Sequence, residues 1–235
     1  MRQPLVIAVA QPPCVPYDVA ANAASHAATI RAAGVRVVLF PELSLTGYEL
    51  DAPAISVDDP RLVPIAEACA ETRSLALVGA PVPGEVGRAQ IATLAIDGTA
   101  VTVAYRKVWL GGAEPERFSP GRAPAVVDVD GWRLGLAICR DTGVPQHAAD
   151  TAALGMDAYV AGVLETADDE AVPEARARRV AADHHVWVAI ASFAGSTGGG
   201  YAQAAGRSGI WSPEGAEVAR AGRDVGAIAR ATLAP

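Results

Sequence analysis

An alternation of apolar strands and amphipathic helices, interrupted twice by Asp-Gly turns, restricts the fold of this chain more than any other feature. Asp97-Gly98 and Asp130-Gly131 each lie between two apolar runs of strand length. An Asp-Gly pair in that setting favours a two-residue turn and therefore an antiparallel hairpin. The alternating segments instead favour parallel strands, because a parallel connection needs a crossover helix. Together the two patterns predict an α/β fold with mixed sheets and helices over a sheet face.

Each predicted element follows from its hydrophobic period and its flanking residues. Helices are predicted over residues 18–33, 60–73, 145–155 and 168–184, the first of them ending at Gly34, a residue typical of helix C-caps. Strands are predicted over residues 5–10, 35–40, 75–82, 91–96, 99–107, 123–129, 132–139, 157–163 and 186–192, and a last hairpin within 206–222. No linker or repeat divides the chain, so residues 1–235 are predicted to form one domain.

The composition excludes several classes of protein. Hydrophobic residues make up 51% of the chain and charged residues 19%, which excludes a disordered chain. A formal net charge of −7 provides no general basic face, so no nucleic-acid partner is expected. The apolar run 5–10 stops before Pro12 and Pro13 and is too short for a signal sequence or a membrane span. We therefore expect a cytoplasmic protein with no membrane partner.

The cysteines and the glycine-rich loop indicate neither a metal site nor a nucleotide site. The chain has three cysteines, Cys14, Cys69 and Cys139. Their odd number and their spacing fit neither a disulfide framework nor a CxxC metal site. The loop "GSTGGG" at 195–200 lacks the Gly-Lys-Ser/Thr of a phosphate-binding loop and is interpreted as a mobile connection. We expect no metal, no cofactor and at least one free thiol.

Three reactive side chains follow predicted strands, which is where open α/β sheets present their sites. Glu42 follows the strand 35–40, Lys107 ends a hairpin strand, and Cys139 ends the strand that begins at Trp132. Each alone has an ordinary interpretation, as a loop carboxylate, a surface lysine or a buried thiol. As a set they suit acyl transfer, because a carboxylate can take the thiol proton and a lysine can hold the oxyanion.

Three sequence motifs resemble the catalytic motifs of the nitrilase superfamily, the carbon-nitrogen hydrolases. They are "FPELSLTGY", "YRKVWLGGAEPERFSPG" and "GLAICRDTGVP", which carry Glu42, Lys107 and Cys139 in that order. The middle motif also contains Glu114, which resembles the second glutamate of the family. Further similar segments run from "AQPPCVPYDVAAN" to "GRSGIWSPEGAEVA", so the likeness covers nearly the whole chain. The resemblance implies a four-layer α-β-β-α sandwich that pairs into homodimers.

The resemblance also implies a role for each of these residues. Cys139 is expected to be the nucleophile that forms a thioester, and Glu42 the general base. Lys107 and the backbone N–H of Arg140 are expected to form the oxyanion site. Glu114 is expected to orient the lysine or the substrate amine.

The residue after the cysteine bears on the substrate. Relatives that hydrolyse nitriles commonly have tryptophan there, so Arg140 favours a small-molecule amide; N-carbamyl or ureido compounds and nitriles are alternatives by the same route. Glu165 is interpreted as a cap of the helix that follows, with selection of a cationic substrate as the alternative. The side chains expected to line the substrate pocket are Tyr48, Trp109, Arg140, Thr142, Val163 and Leu164.

Two other classes of protein stay open at this point. A Cys-His hydrolase could use His147, His184 or His185 as its base, although nothing in the sequence fixes such a pairing. His184 and His185 as a metal site are disfavoured, because adjacent helix positions point in different directions. A non-catalytic family member acting as a binding protein is the second class, and the presence of all four expected catalytic residues argues against it.

Overall fold

The computed structural model describes residues 2–84 and 87–235. In chain order the strands are β1 Leu5–Ala10, β2 Val37–Leu39, β3 Leu75–Pro83, β4 Ala89–Ile96, β5 Val101–Arg106, β6 Ala125–Val129, β7 Trp132–Ile138, β8 Ala158–Val163, β9 Trp187–Ser192, β10 Ala194–Gly195, β11 Ala204–Ala205, β12 Gly209–Trp211, β13 Glu217–Arg220 and β14 Ile228–Leu233. The α-helices are α1 Val19–Ala33, α2 Val63–Thr72, α3 Glu114–Arg117, α4 Pro145–Ala153 and α5 Val172–His184. Short 3-10 turns cover Pro60–Leu62, Cys139–Gly143 and Ala167–Asp169.

The described strands form two six-stranded mixed sheets and one short hairpin of β10 and β11. The first sheet has the order β14-β1-β2-β3-β4-β5, and the second has the order β13-β12-β9-β8-β7-β6. Strands separated by helices pair in parallel, as β1 does with β2 and β7 with β8. Strands joined at the two Asp-Gly turns pair antiparallel, as β4 does with β5 and β6 with β7. The predicted mixed α/β fold is confirmed.

The alternation of side chains along each strand builds four layers. Leu5, Ile7 and Val9 of β1 pack in the core between the two sheets, whereas Ala8 and Ala10 face the other way and pack with α1 and α2. Successive residues of a strand point to opposite faces, so one strand serves two cores. In the second sheet the outer face packs against α4 and α5. The order of layers is therefore α-β-β-α.

Local signals define the first helix as predicted. The Asp18 carboxylate accepts a hydrogen bond from the backbone N–H of Ala21 at 3.0 Å, which satisfies a donor that has no partner within the helix. Gly34 ends the helix with a φ of 57°, a left-handed conformation that glycine adopts without strain.

The C-terminal strand β14 is absent from the strands predicted from sequence. It pairs antiparallel with β1 along its whole length and so completes the first sheet. Ala229, Ala231 and Leu233 are its buried residues, in alternation with exposed Arg230 and Thr232. Two of the three inward residues are alanines, which carry little strand preference, so the period of two is present but weak. The helix predicted over 168–184 also begins later, at Val172, after a 3-10 turn.

Within residues 2–84 and 87–235, no helix has the length and apolar character needed to cross a membrane.

Candidate active site

Strand ends from both sheets deliver the reactive side chains to one place. Glu42 follows β2 of the first sheet, and Cys139 follows β7 of the second. Lys107 comes directly after β5, and its own backbone N–H donates to the Ile91 carbonyl of β4 at 2.8 Å. Glu42 and Lys107 are about 1% exposed, so the site lies in the interior rather than on a loop surface.

Two glycines fix the backbone that carries Glu42. A β-carbon on Gly162 of β8 would lie 2.6 Å from the Phe40 carbonyl oxygen and 2.9 Å from the Glu42 nitrogen. A β-carbon on Gly79 of β3 would collide with the Pro41 carbonyl and the backbone after Glu42. The segment that holds the glutamate is therefore enclosed by one strand from each sheet, at a distance that only glycine permits.

Lys107 lies between two buried carboxylates. Its ammonium nitrogen Nζ donates to Glu42 Oε1 at 2.6 Å and to Glu114 Oε1 at 2.7 Å. Glu114 Oε2 accepts from the backbone N–H of Gly111 at 2.8 Å, and Oε1 also accepts from the Tyr48 hydroxyl at 2.7 Å. A buried charge needs partners of this kind, because desolvation alone would neutralise it.

Glu42 is left with one oxygen for chemistry. Its Oε2 is buried and has no conventional hydrogen-bond partner within the described part of the chain. The Cys139 thiol is a weak donor to the Glu42 carboxylate, and that contact lowers the Glu42 pKa. Oε2 is therefore free to accept a proton from sulfur.

Cys139 lies on a strained turn between β7 and α4. Its φ is +44°, a left-handed conformation that is rare for residues other than glycine and is typical of functional positions. The thiol contacts the Leu164 carbonyl oxygen at 3.6 Å, and the Thr142 hydroxyl donates to the Cys139 carbonyl at 2.6 Å. The turn presents the sulfur at the end of the strand instead of burying it in the sheet.

The charges of the site follow from burial and neighbours. Burial raises the pKa of Glu42 above its ordinary value of 4.5, while the Lys107 charge lowers it and the Glu114 charge raises it. Burial lowers the pKa of Lys107, but Glu42, Cys139 and Glu114 together raise that pKa well above normal, so the ammonium stays charged. Burial and the Glu42 charge raise the pKa of the Cys139 thiol, against the lowering effect of Lys107. Together these effects favour the protonated form of the thiol in the resting site.

A cavity of about 370 Å³ opens beside these residues. Tyr48 connects it to the buried charges through its bond to Glu114, and Tyr48 and Tyr201 meet edge to face with ring centroids 5.2 Å apart. Glu42, Lys107 and Cys139 line neither this cavity nor a second one of about 480 Å³ near Arg106 and Arg122. The residues that line the smaller cavity are Tyr48, Leu50, Asp51, Gly112, Ala113, Gly199 and Tyr201.

The other side chains expected at the substrate pocket lie in different surroundings. Trp109 is 43% exposed, and Arg140 is exposed. Thr142 is buried behind the cysteine turn. Val163 packs in the core under α4 and α5, whereas Leu164 packs with Tyr48 and Tyr201.

Two acidic residues near the cysteine turn have partners that the sequence did not predict. Asp141 is fully buried and accepts from the Tyr105 hydroxyl at 2.7 Å. Glu165 accepts from Arg176 Nη1 at 2.8 Å, so it forms an ion pair rather than the expected helix cap. Asp141 lies two positions after Cys139. A carboxylate so near the cysteine was the one feature of the sequence that could have indicated this residue.

The histidines lie outside this constellation. His147 is buried between the Tyr105 and Tyr159 hydroxyls, each 2.8 Å from a ring nitrogen. His184 ends α5, and His185 is its left-handed C-cap with a φ of 53°. Among residues 2–84 and 87–235, no group of three or more His, Cys, Asp or Glu side chains is arranged to hold a metal ion.

Comparison with known proteins assigns the family. The model of the carbon-nitrogen hydrolase family matches residues 6–234. A protein of Pseudomonas protegens described as the hydrolase in the pqqF 5′ region is 28% identical over 227 residues, which cover 93% of this chain and 79% of that protein. A hydrolase of Mycobacterium tuberculosis, Rv0480c, is 31% identical over 150 residues, which cover 59% of this chain and 54% of that protein.

Solved structures agree on the fold. Nit3 of Saccharomyces cerevisiae, a member of branch 10 of the nitrilase superfamily, superposes with a TM-score of 0.88 at 24% identity, covering 99% of this chain and 91% of that one. An amidase from Nesterenkonia sp. superposes with a TM-score of 0.87 at 24% identity, covering 97% and 90%. This chain belongs to the carbon-nitrogen hydrolase family, and it is a carbon-nitrogen hydrolase.

Proposed function

We propose that this enzyme hydrolyses the carbon-nitrogen bond of a small amide through a thioester on Cys139. The observation that carries the proposal is the contact between the Cys139 thiol and the buried Glu42 carboxylate. Within the described part of the chain Glu42 Oε2 has no conventional hydrogen-bond partner, and Oε1 accepts from Lys107 Nζ at 2.6 Å. A base and a cation are thereby placed on one side of a strained nucleophile. Support also comes from the Nesterenkonia amidase, for which a covalent adduct of acrylamide at the active site cysteine is described.

The first half-reaction forms the thioester. Cys139 Sγ attacks the amide carbon while the thiol proton passes to Glu42 Oε2, which compensates for the raised pKa of the thiol. The Lys107 ammonium and the backbone N–H of Arg140 donate to the oxyanion that develops on the carbonyl oxygen. The carbon-nitrogen bond breaks as Glu42 returns the proton to the leaving nitrogen, and ammonia departs.

The second half-reaction uses water. Glu42 accepts a proton from a water molecule, whose oxygen bonds to the thioester carbon, and the same two donors hold the second oxyanion. The carbon-sulfur bond then breaks and the sulfur recovers its proton. One molecule of water is consumed, and a carboxylic acid leaves the site.

The polar surroundings favour an amide over a nitrile. Tyr48 lines the cavity and donates its hydroxyl hydrogen to Glu114, so its oxygen is an acceptor at the cavity edge. An amide nitrogen carries two hydrogens that such an oxygen can accept. A nitrile nitrogen carries none. N-carbamyl compounds contain the same amide group and are the second candidate class.

Ammonia release tests the proposal. The substrates are short aliphatic amides, ω-amides, N-carbamyl compounds and nitriles, each with wild type, Cys139→Ala and Cys69→Ala. Cys69 is a buried thiol of α2 and so controls for the loss of a cysteine as such. We expect release with at least one amide by wild type and by Cys69→Ala, and none by Cys139→Ala. Release that persists in Cys139→Ala would exclude the thioester route.

A further inference from the structure

A buried carboxylate that takes no part in the proposed reaction touches both catalytic segments. Asp141 Oδ2 accepts from the backbone N–H of Ile138 at 2.9 Å, and Oδ1 accepts from the backbone N–H of Trp109 at 2.9 Å. Ile138 immediately precedes the nucleophile, and Trp109 lies two positions beyond Lys107. The two oxygens of one side chain therefore hold the two segments that carry sulfur and ammonium.

A chain of hydroxyl and imidazole groups supports this carboxylate from behind. The Tyr105 hydroxyl has one hydrogen and donates it to Asp141 Oδ2 at 2.7 Å, so the His147 Nε2 at 2.8 Å must carry a hydrogen and donate to Tyr105. His147 Nδ1 then accepts from the Tyr159 hydroxyl at 2.8 Å. The tautomer follows from this count of donors. All donors point toward Asp141, which fits an ionised carboxylate.

The arrangement matters because Lys107 and Cys139 come from different sheets. Lys107 follows β5 at the edge of the first sheet, and Cys139 follows β7 of the second. No strand pairing connects these two strands. Asp141 connects them by hydrogen bonds to backbone atoms, which cannot rotate away as side chains can.

We propose that Asp141 is a positioning residue that holds Lys107 and Cys139 at their working separation through the backbone N–H groups of Trp109 and Ile138. The proposal rests on the function given above, because it concerns the two groups that act on the substrate. It assigns to Asp141 no contact with substrate. Oxyanion stabilisation depends on donors held within a few tenths of an ångström, so a small shift of either segment costs rate.

Asp141→Asn separates this role from simple burial. The amide has nearly the same shape but one acceptor and one donor group, so an NH₂ group must face a backbone N–H in either orientation. The orientation that keeps Ile138 and Tyr105 satisfied directs the NH₂ group at Trp109. The lysine segment is then pushed from the cysteine turn while the core volume stays the same.

The readout is the second-order rate of Cys139 alkylation by iodoacetamide across pH, followed by mass spectrometry well below the melting temperature of each variant. Glu42, Lys107 and Glu165 are the charged groups that act on this thiol, and Lys107 is the one that favours its anion. Moving Lys107 away raises the thiol pKa, and one unit lowers the reactive fraction about tenfold. We expect Asp141→Asn to react at least about tenfold more slowly at pH 7.

Tyr159→Phe is the matched control. It removes the buried hydrogen bond between Tyr159 and His147 but leaves both bonds between Asp141 and the backbone intact. We expect it to lose stability and to keep the wild-type alkylation profile. Asp141→Ser is the second test variant, because a hydroxyl can rotate and forces no NH₂ group against a backbone N–H. It should also react slowly.

The outcomes separate this inference from the proposed function. Slow alkylation in the folded Asp141 variants with a normal profile in Tyr159→Phe supports positioning. A wild-type profile in either folded Asp141 variant overturns it, and so does failure of both variants to fold, since the carboxylate would then serve folding. If wild-type Cys139 reacts no faster than Cys69, the activated thiol itself is absent and the proposed function fails.

Discussion

Glu114 and Lys107 form a buried ion pair at 2.7 Å, and the same ammonium pairs with Glu42 at 2.6 Å. Glu114 also accepts a hydrogen bond from the Gly111 N–H, which fixes this carboxylate next to Lys107. Its charge raises the pKa of Glu42. The resemblance implied an orienting role for this glutamate, and the contacts add an electrostatic one.

Glu114→Gln should move the acidic limb of the pH–rate profile to lower pH. Removing the Glu114 charge lowers the pKa of Glu42, so the base stays ionised in more acidic solution. Turnover should also fall about tenfold or more, because a charge-assisted hydrogen bond to Lys107 becomes neutral. The measurement is kcat/KM from pH 4 to 9. Glu116→Gln on the same helix removes an exposed charge and should leave the profile in place; an unmoved limb in Glu114→Gln would contradict the coupling.

Lys107→Met should lower turnover by at least about a hundredfold, the loss typical of one oxyanion donor. It should also destabilise the protein by about 3 to 5 kcal/mol, because Glu42 and Glu114 lose their buried counter-charge. Adding Glu42→Gln should recover part of that stability and none of the activity. Urea denaturation and ammonia release report the two quantities. Turnover within tenfold of wild type in Lys107→Met would remove the lysine from the mechanism.

Cys139→Gly should be more stable than Cys139→Ala by about 1 kcal/mol, although both are inactive. Position 139 has a φ of +44°, which strains alanine but not glycine. The same exchange at a regular strand position, Ala137→Gly in β7, should destabilise the protein and so controls for the flexibility of glycine. Urea denaturation measures the free energy of unfolding of the variants. If Cys139→Gly were less stable than Cys139→Ala, the turn would store no strain.

His26 should make the protein less stable as the solution is acidified from pH 7 to 5. Burial lowers the pKa of His26 to about 4 in the native protein. Below about pH 6.5 the unfolded chain therefore binds a proton at His26, whereas the native protein binds it only near pH 4. The contribution of neutral His26 to the free energy of unfolding is complete above pH 6.5 and decreases as the pH falls toward 4. About 2 kcal/mol of it is lost by pH 5. In His26→Gln that part of the pH dependence should disappear from urea curves. His184→Gln serves as the control, and an equal effect of both variants would argue against the assignment.

The sequence predicted the fold where hydrophobic period and turn chemistry agree. The Asp18 cap, Gly34 and the two Asp-Gly turns lie where expected. Strand β14 was missed because alanines weaken its alternation, and it acquires strand structure by pairing with β1. Asp141 was missed for a different reason. Two of its partners are backbone N–H groups, one of them from a segment of the other sheet, and backbone donors cannot be identified from a pattern of residue types.

Gly79 and Gly162 make the position of Glu42, the proposed base, depend on the packing of both sheets. They belong to different sheets, and both touch the backbone of the segment that carries Glu42. The spacing of the sheets and the location of the base are thus governed by the same contacts. A side chain added at either glycine would have to displace the backbone that carries Glu42, so packing between the sheets affects the position of this carboxylate as well as stability.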